Sequence, residues 1–431
     1  MSDATAAPAP AARRPLMPLD DALARLMAQA QPLAGIEDCN TFDADGRVLA
    51  RDLVAALTVP PADNSAMDGY AVRVADCTAP GAELRVAQRI PAGSTGEPLA
   101  ADTAARIFTG APIPPGADAV VMQEDAEALP DDGSLGRVRV TTVPQAGQWI
   151  RRAGEDVERG SVVLAAGQRL TPQALGLAAS IGFASLPVRR RPRVAMLSTG
   201  DELVMPGTIA PEAMPPGAIY NSNRFFLRAL LLRMGCEVQD LGLVPDRLEA
   251  TIDGLRAAAS QNDLIITTGG VSVGEEDHVK AAVQSLGTLE HWALAIKPGK
   301  PFAYGTIARP ALEEGGIERC HVCGLPGNPV SSFMTFLLLV RPFLMALLGA
   351  TQAVPAAVQM TAGFDWPRPD RRREFLRARI GADGRLDLFA NQSSGVLTST
   401  VWGDGVIDNP GGQAIAAGDT VRFIPFGAWL A

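Results

Sequence analysis

Between Arg191 and Ala350, short apolar runs alternate with segments of helical spacing, and this alternation restricts the fold more than any other feature of the chain. "RVAMLSTG", "CEVQDLGLV", "DLIITTGG" and "HVCGLPG" read as strands. Between them, "SNRFFLRALLLRMG" is a helix closed by Gly235, "DRLEATIDGLRAAASQN" a helix with Asp246 as its expected N-cap, and "EDHVKAAVQSLG" a third helix. "HWALAIKPGKPFAYG" predicts two more strands around a Pro/Gly turn. Strands that are apolar along their whole length must be covered on both faces. The predicted architecture is therefore a doubly wound, mostly parallel α/β sheet.

A chain of 431 residues exceeds one ordinary core, so two to four domains are expected. Upstream, apolar residues at Leu19, Leu23, Leu26, Met27 and Ala30 predict a helix from Leu19 to Ala30, with Asp20 and Asp21 as cap and dipole partners. From Tyr70 to Val143, runs such as "AELRVAQRI" and "GRVRVTTV" alternate with turns and predict a small β-rich unit. "PQALGLAASIGFASLPV" predicts a short helix with Pro172 in its first turn. After Thr351 the pattern turns β-like again. The expected division is a disordered tail over 1–15, an N-terminal domain over 16–69 and 145–188, an inserted β-rich domain over 70–144, an α/β domain over 189–350 and a C-terminal β domain over 351–431.

A net charge of -9 speaks against a broad nucleic-acid footprint, which needs clustered Lys and Arg. The odd set Cys39, Cys77, Cys236, Cys320 and Cys323 is no disulfide framework and suits a cytoplasmic protein. Cys320 and Cys323 form a lone C-x-x-C, read as structural. The most apolar run, "FMTFLLLVRPFLMALLGA", is broken by Arg341-Pro342 and reads as a buried helix, kinked or broken at Pro342, with no membrane partner expected.

In an open α/β sheet, ligands bind beyond the carboxyl ends of the strands. The polar clusters fall there: "STGDE" after the first strand, Pro245-Asp246 after the second, "TTGGVSVGEEDH" after the third, then "KPGKP" and "GLPGNPVSS". Thr267, Thr268, Gly269, Gly270, Ser272 and Gly274 offer bare backbone and hydroxyls ahead of a helix, an arrangement that cradles phosphate. Pro326, Gly327 and Asn328 repeat it at the next helix start, and Lys297 and Lys300 add positive charge. Glu202, Asp246, Glu275, Glu276 and Asp277 would repel a phosphate unless a cation sat between, which points to Mg²⁺. The plainer readings are a helix cap for Asp246 and Asp277 and a solvated turn residue for Glu202. Far upstream, "PADNSAMDGYAV" packs small polar groups over a stretch longer than a turn requires.

"DNSAMDGYAV", "TGAPIPPGADAVV", "IRRAGED", "STGDEL", "TTGGVSVGEEDH", "IKPGKPFAYG" and "GLPGNPVSS" occur in the order found in MoeA-type molybdopterin molybdenumtransferases, relatives of the gephyrin E domain. From Leu16 to its end the chain resembles that family. The resemblance implies an elongated homodimer of four domains, including a MoaB/Mog-like α/β domain. It implies insertion of molybdate into adenylylated molybdopterin, with Mg²⁺-dependent release of AMP. It assigns catalytic roles to Asp68, Asp156, Glu202, Asp246 and Asp277, and places Asp68 in the cleft of the partner subunit; Glu202, Asp246 and Asp277, which follow three strands of one sheet edge, are the expected metal ligands on the residues themselves. It assigns substrate contacts to Thr109, Arg151, Lys297, Lys300 and Ser394. Where the family commonly carries a Lys, four residues before Lys297, this chain has Ala293; Arg151 or Arg152 is the candidate replacement contact. A molybdopterin adenylyltransferase and apo-molybdoenzymes are further candidate partners. The competing activities are that adenylyltransferase itself, against which Asp68 and Asp156 argue, and a non-enzymatic dimeric scaffold.

Overall fold

The computed structural model describes residues 15–33, 35–129, 135–244, 247–269, 278–309 and 319–430. The chain divides into two compact units, one of Met1–Arg51, Ala166–Thr171 and Leu186–Ala431, the other of Asp52–Ala165 and Pro172–Ser185.

In the first unit, helical spacing buries Leu19, Ala22 and Leu26 along α1 (Leu19–Met27). Pro18 holds the capping position and no side chain caps the helix, so Asp20 and Asp21 serve its dipole but not its cap. The helix stops at Met27, short of the expected Ala30, because the Ala28 amide reaches both Ala24 and Leu26 carbonyls and tightens the last turn. The α/β alternation follows as β1 (Arg193–Ser198), α2 (Asn223–Arg233), β2 (Glu237–Leu243), α3 (Leu248–Gln261), β3 (Leu264–Thr268), α4 (His278–Leu286), β4 (Gly287–Ala293), β5 (Pro301–Ala308) and β6 (Arg319–Leu325). The sheet order is β2-β1-β3-β6-β5-β4. The first four strands of that order are parallel, whereas β5 runs against β6, and β4 against β5. The connection between β4 and β5 is too short for a crossover helix, which forces that antiparallel pair.

Val194 and Met196 of β1 enter one hydrophobic core with Leu227 and Leu230 of α2, and Ala195 and Leu197 enter a second with Leu255 of α3 and Val283 of α4. The sheet is thus covered on both faces, as its apolar strands require. Strand alternation also settles the C-x-x-C. Cys320 lies in the second core and Cys323 in the first, on opposite faces, so the pair cannot share a metal.

The long apolar segment is helical without interruption from Pro329 to Leu347 and 83% buried, a core helix despite a length and composition sufficient to cross a membrane. It runs as α5 (Pro329–Thr335), a π turn (Phe336–Val340) and α6 (Arg341–Leu347). Pro342 does not break it. The wider turn comes first, and Pro342 falls in the opening turn of α6, where a missing amide is tolerated. The C-terminal sheet comprises β7 (Val358–Thr361), β8 (Arg373–Ile380), β9 (Leu386–Leu388), β10 (Gly405–Asn409) and β11 (Thr420–Pro425). One of its edge strands is Ile296–Lys297, which pairs in parallel with Arg373 and Glu374 of β8; the opposite edge is β7.

The second unit holds a six-stranded sheet in the order Ala119–Met122, Gly69–Val72, Thr103–Ile107, Ala82–Ile90, Arg137–Val140, Ala126–Leu129. The helix Pro172–Ser180 belongs to the same unit, with Pro172 as its first residue.

Candidate active site

Strand register levels the loops of the α/β sheet. Ser198 of β1 lies opposite Leu243 of β2 and Thr268 of β3, and Thr268 lies opposite Leu325 of β6. The loops after β2, β1, β3 and β6 therefore leave one edge at one height. β4 runs parallel to β6, so the turn from Ala293, opposite Pro301, delivers "KPGKP" to the same edge. There the chain forms a cleft of about 410 Å³, lined by Thr199, Glu202, Asn223, Thr268, Gly269, Pro301, Pro326, Gly327, Asn328 and Ser331 among others.

The cleft offers hydroxyls, side-chain amides and glycine backbone, with the Glu202 carboxylate among its lining. Gly269 has φ +81°, and a Cβ there would lie 2.6 Å from the Thr199 carbonyl oxygen, so only glycine lets these loops approach. The buried Thr268 hydroxyl donates to Ser198 Oγ at 3.0 Å. Buried Thr267 Oγ1 and Ser332 Oγ have no partner among the described residues. Asn328 occupies the N-cap of α5 without a side-chain cap bond, so the positive end of this helix faces the cleft. Glu202 is exposed at the rim, its carboxylate against the backbone of Gly200. Asp246, Gly270, Ser272 and Asp277 lie outside the described residues. The helix expected to be capped by Asp246 begins at Leu248, with Arg247 in the capping position.

The two lysines differ. Lys300 is exposed and makes no ion pair among the described residues. Lys297 reaches Glu374 Oε1 at 3.4 Å and Asp370 Oδ2 at 3.5 Å, so its charge is already matched by carboxylates of the C-terminal segment. Glu374 is fully buried and also accepts from Trp366 Nε1 at 2.8 Å. The Asp370 carboxyl is held well below the usual range, first by the Arg372 side chain, which donates from Nε at 2.9 Å and from Nη2 at 2.8 Å. Ser394 meets the site through its backbone, accepting the Val330 amide of α5 at 2.9 Å.

Sequence reasoning missed Asn223, Asp370, Arg372 and Glu374. Asn223 was one letter in a helix start, and Glu374 sits 77 residues from its lysine with no local pattern to join them.

In the second unit, "DNSAMDG" is held on two sides. The Ser65 amide donates to Ala111, the Ala66 amide to Trp149, and Asn64 lies opposite Arg151 in a two-stranded ladder. The Asp68 carboxylate accepts the Thr109 amide and hydroxyl, both at 2.8 Å. These bonds, the amide's first, hold the Asp68 carboxyl below its ordinary range. Arg152 and the Ala153 amide bind Asp63, at 2.6 and 2.9 Å. Arg151 and Asp156 are exposed. The structure thus joins Asp68 with Thr109, and sets Arg151 beside the same motif.

Residues 17–182 match the MoeA N-terminal region (domain I and II), residues 195–346 a probable molybdopterin binding domain, and residues 359–426 the MoeA C-terminal region (domain IV). A molybdopterin molybdenumtransferase of Haemophilus influenzae is 39% identical over 95% of this chain and 99% of its own length. The chain belongs to the MoeA family. A second MoeA-family relative, the Bacillus subtilis molybdopterin molybdenumtransferase, is 33% identical over 96% of the chain and 94% of its own length. The crystal structure of a molybdopterin biosynthesis MoeA protein from Pyrococcus horikoshii superimposes with a TM-score of 0.80 at 29% identity, covering 95% of this chain and 99% of that one. The MoeA C-terminal match starts after the α/β sheet and ends at Phe426, so it spans β7 to β11. The molybdopterin-binding match spans every strand that feeds the cleft.

Proposed function

We propose that this chain inserts molybdenum into molybdopterin, taking molybdate and adenylylated molybdopterin and releasing AMP. The observation that carries the reading is the levelled register of β2, β1, β3 and β6, which converges the donor-rich loops of a molybdopterin-binding match on one cleft. Curated molybdopterin molybdenumtransferases align over nearly the whole chain and over their own length, which speaks against a lone adenylyltransferase domain. In the proposed complex, the Gly269 backbone, the Thr268 neighbourhood and the start of α5 hold phosphate oxygens, and Lys300 adds charge from solvent. Lys297, tied to Glu374 and Asp370, positions the turn that carries Lys300.

Mg²⁺ is part of the proposal. Among the described residues no group of three or more acids, histidines or cysteines could hold a metal. Of the three proposed ligands only Glu202 is described, at the cleft rim; Asp246 and Asp277 complete the set from the sequence. A divalent ion would there offset the repulsion between carboxylate and phosphate. We further propose a homodimer in which Asp68 and Thr109 of one chain serve the partner's cleft, and a cytoplasmic location, which the free cysteines support. The four-part domain division is retained as a proposal, supported by the separate cores of residues 70–144 and of the C-terminal sheet.

Purified protein loaded with adenylylated molybdopterin should release AMP when molybdate is added, stop in EDTA and recover with Mg²⁺. Consumption of ATP with molybdopterin, with no molybdate-dependent AMP, would overturn the reading in favour of the adenylyltransferase.

A further inference from the structure

Asn223 opens α2 at the floor of the cleft, 7% exposed. Its Nδ2 donates to the Gly327 carbonyl oxygen at 2.7 Å. A carbonyl can only accept, so this contact fixes which end of the carboxamide is which. The other end, Oδ1, is buried and has no partner among the described residues. Asn223 therefore brings an oriented neutral acceptor to the lining of the cleft, beside the Gly269 and Gly327 backbone and apart from the charged Glu202 carboxylate at the rim. A diphosphate-bridge or molybdate oxygen carries no proton at neutral pH, and a terminal phosphate is mostly the dianion, so such oxygens would be repelled from Oδ1. An N–H group would be matched.

We propose that Asn223 Oδ1 is a specificity contact that accepts an N–H from the ligand's fused nitrogen heterocycle, while Nδ2 braces the Gly327 turn of the anion-binding loop. The proposal rests on the molybdopterin reading of the same cleft. The matching edge is an amino or lactam N–H, which both the pterin and the adenine of the adenylylated substrate present. An acceptor at this position sorts the ends of such a ligand, because the heterocycle is drawn to Asn223 and the phosphates to the amides and hydroxyls.

The test compares three ligands on the full-length protein by anaerobic calorimetry: AMP, ribose 5-phosphate, which keeps the sugar and phosphate but lacks the base, and molybdopterin. Asn223→Ala should weaken at least one of the two heterocyclic ligands about tenfold more than it weakens ribose 5-phosphate, whose smaller loss, with any drop in thermal midpoint, reads the bond to Gly327. Loss confined to AMP places adenine at Oδ1, and loss confined to molybdopterin places the pterin there. Asn223→Ser, whose hydroxyl is too short to reach both partners, gives the same comparison if the alanine variant does not fold. Unchanged affinity for both heterocyclic ligands would overturn the proposal. So would an equal loss for ribose 5-phosphate, since Asn223 would then only support the loop. Wild-type protein that binds none of the three would overturn the functional reading, and this proposal with it.

Discussion

His321 carries a pH signature. Its ring lies between Tyr304, stacked at 6.0 Å, and the edge-on ring of Phe343 at 4.9 Å, with Nδ1 bonded to Tyr304 Oη at 2.9 Å. Burial pulls its pKa from an ordinary 6.5 to about 4. The unfolded chain then binds the proton first as pH falls, so stability is intact above pH 6.5 and is lost between 6.5 and 4. By pH 5 the loss is about 2 kcal/mol. Urea titrations at pH 7.5 and 5 should show this drop in the wild type and a smaller one in His321→Gln, compared as slopes because the variant also loses packing. A pH dependence unchanged by the substitution would place the titrating group elsewhere. Single residues were legible in the sequence when their role was local. Gly269 reads from the sequence as bare backbone, and its φ of +81° requires glycine there. Lys297 reads from the sequence as an anion contact, and its partners Asp370 and Glu374 come from a distant segment that no spacing pattern connects to it.

At the scale of elements, the base of β3 is pinned opposite the cleft. Asp263, fully buried, takes Arg190 in two bonds at 2.8 and 2.9 Å, the Arg193 amide at 2.9 Å and Arg309 at 3.2 Å. Burial pushes its carboxyl up, but the Arg190 and Arg193 bonds, with the charges of Arg190 and Arg309, outweigh it and hold the pKa low. Removing one member of such a cluster strands buried charge, so Asp263→Ala should cost about 3–5 kcal/mol in chemical denaturation. A loss under about 1 kcal/mol, the worth of an exposed pair, would show the cluster to be solvated. Strands and helices were legible because their periods of 2 and 3.6 residues are written into each segment. The π turn at Phe336–Val340 was not, since an unbroken apolar run has no period to shift. The antiparallel direction of β5 was also hidden. It follows from the shortness of the "KPGKP" connection, which the sequence reading placed at the right edge without its sense.

For the whole molecule, the proposed homodimer has a direct test. Asp68 and Thr109 belong to the second compact unit and Glu202 to the first. If a working cleft takes its acids from two chains, mixing Asp68→Asn with Glu202→Gln should recover activity, because one of the two clefts in each mixed dimer is intact. Folded mixed dimers with no recovery would place both acids in the same chain's site. The α/β sheet and the C-terminal β-strands have a different relation, visible in the edge strand Ile296–Lys297. The polypeptide leaves the α/β sheet at Ala293, lends two residues to the other sheet, and returns at Pro301. Met17 is stitched to the same place, its amide bonded to Ala293 and its carbonyl to the Ala295 amide, each at 2.7 Å. The C-terminal sheet is therefore not a portable cassette. Cutting the gene near residue 350 would strip its border strand and bare the backbone of Arg373 and Glu374, leaving an open edge that invites other chains to pair. The seam between the two sheets thus lies more than fifty residues upstream of the apparent boundary, and a fragment that keeps the C-terminal sheet whole has to reach back across it.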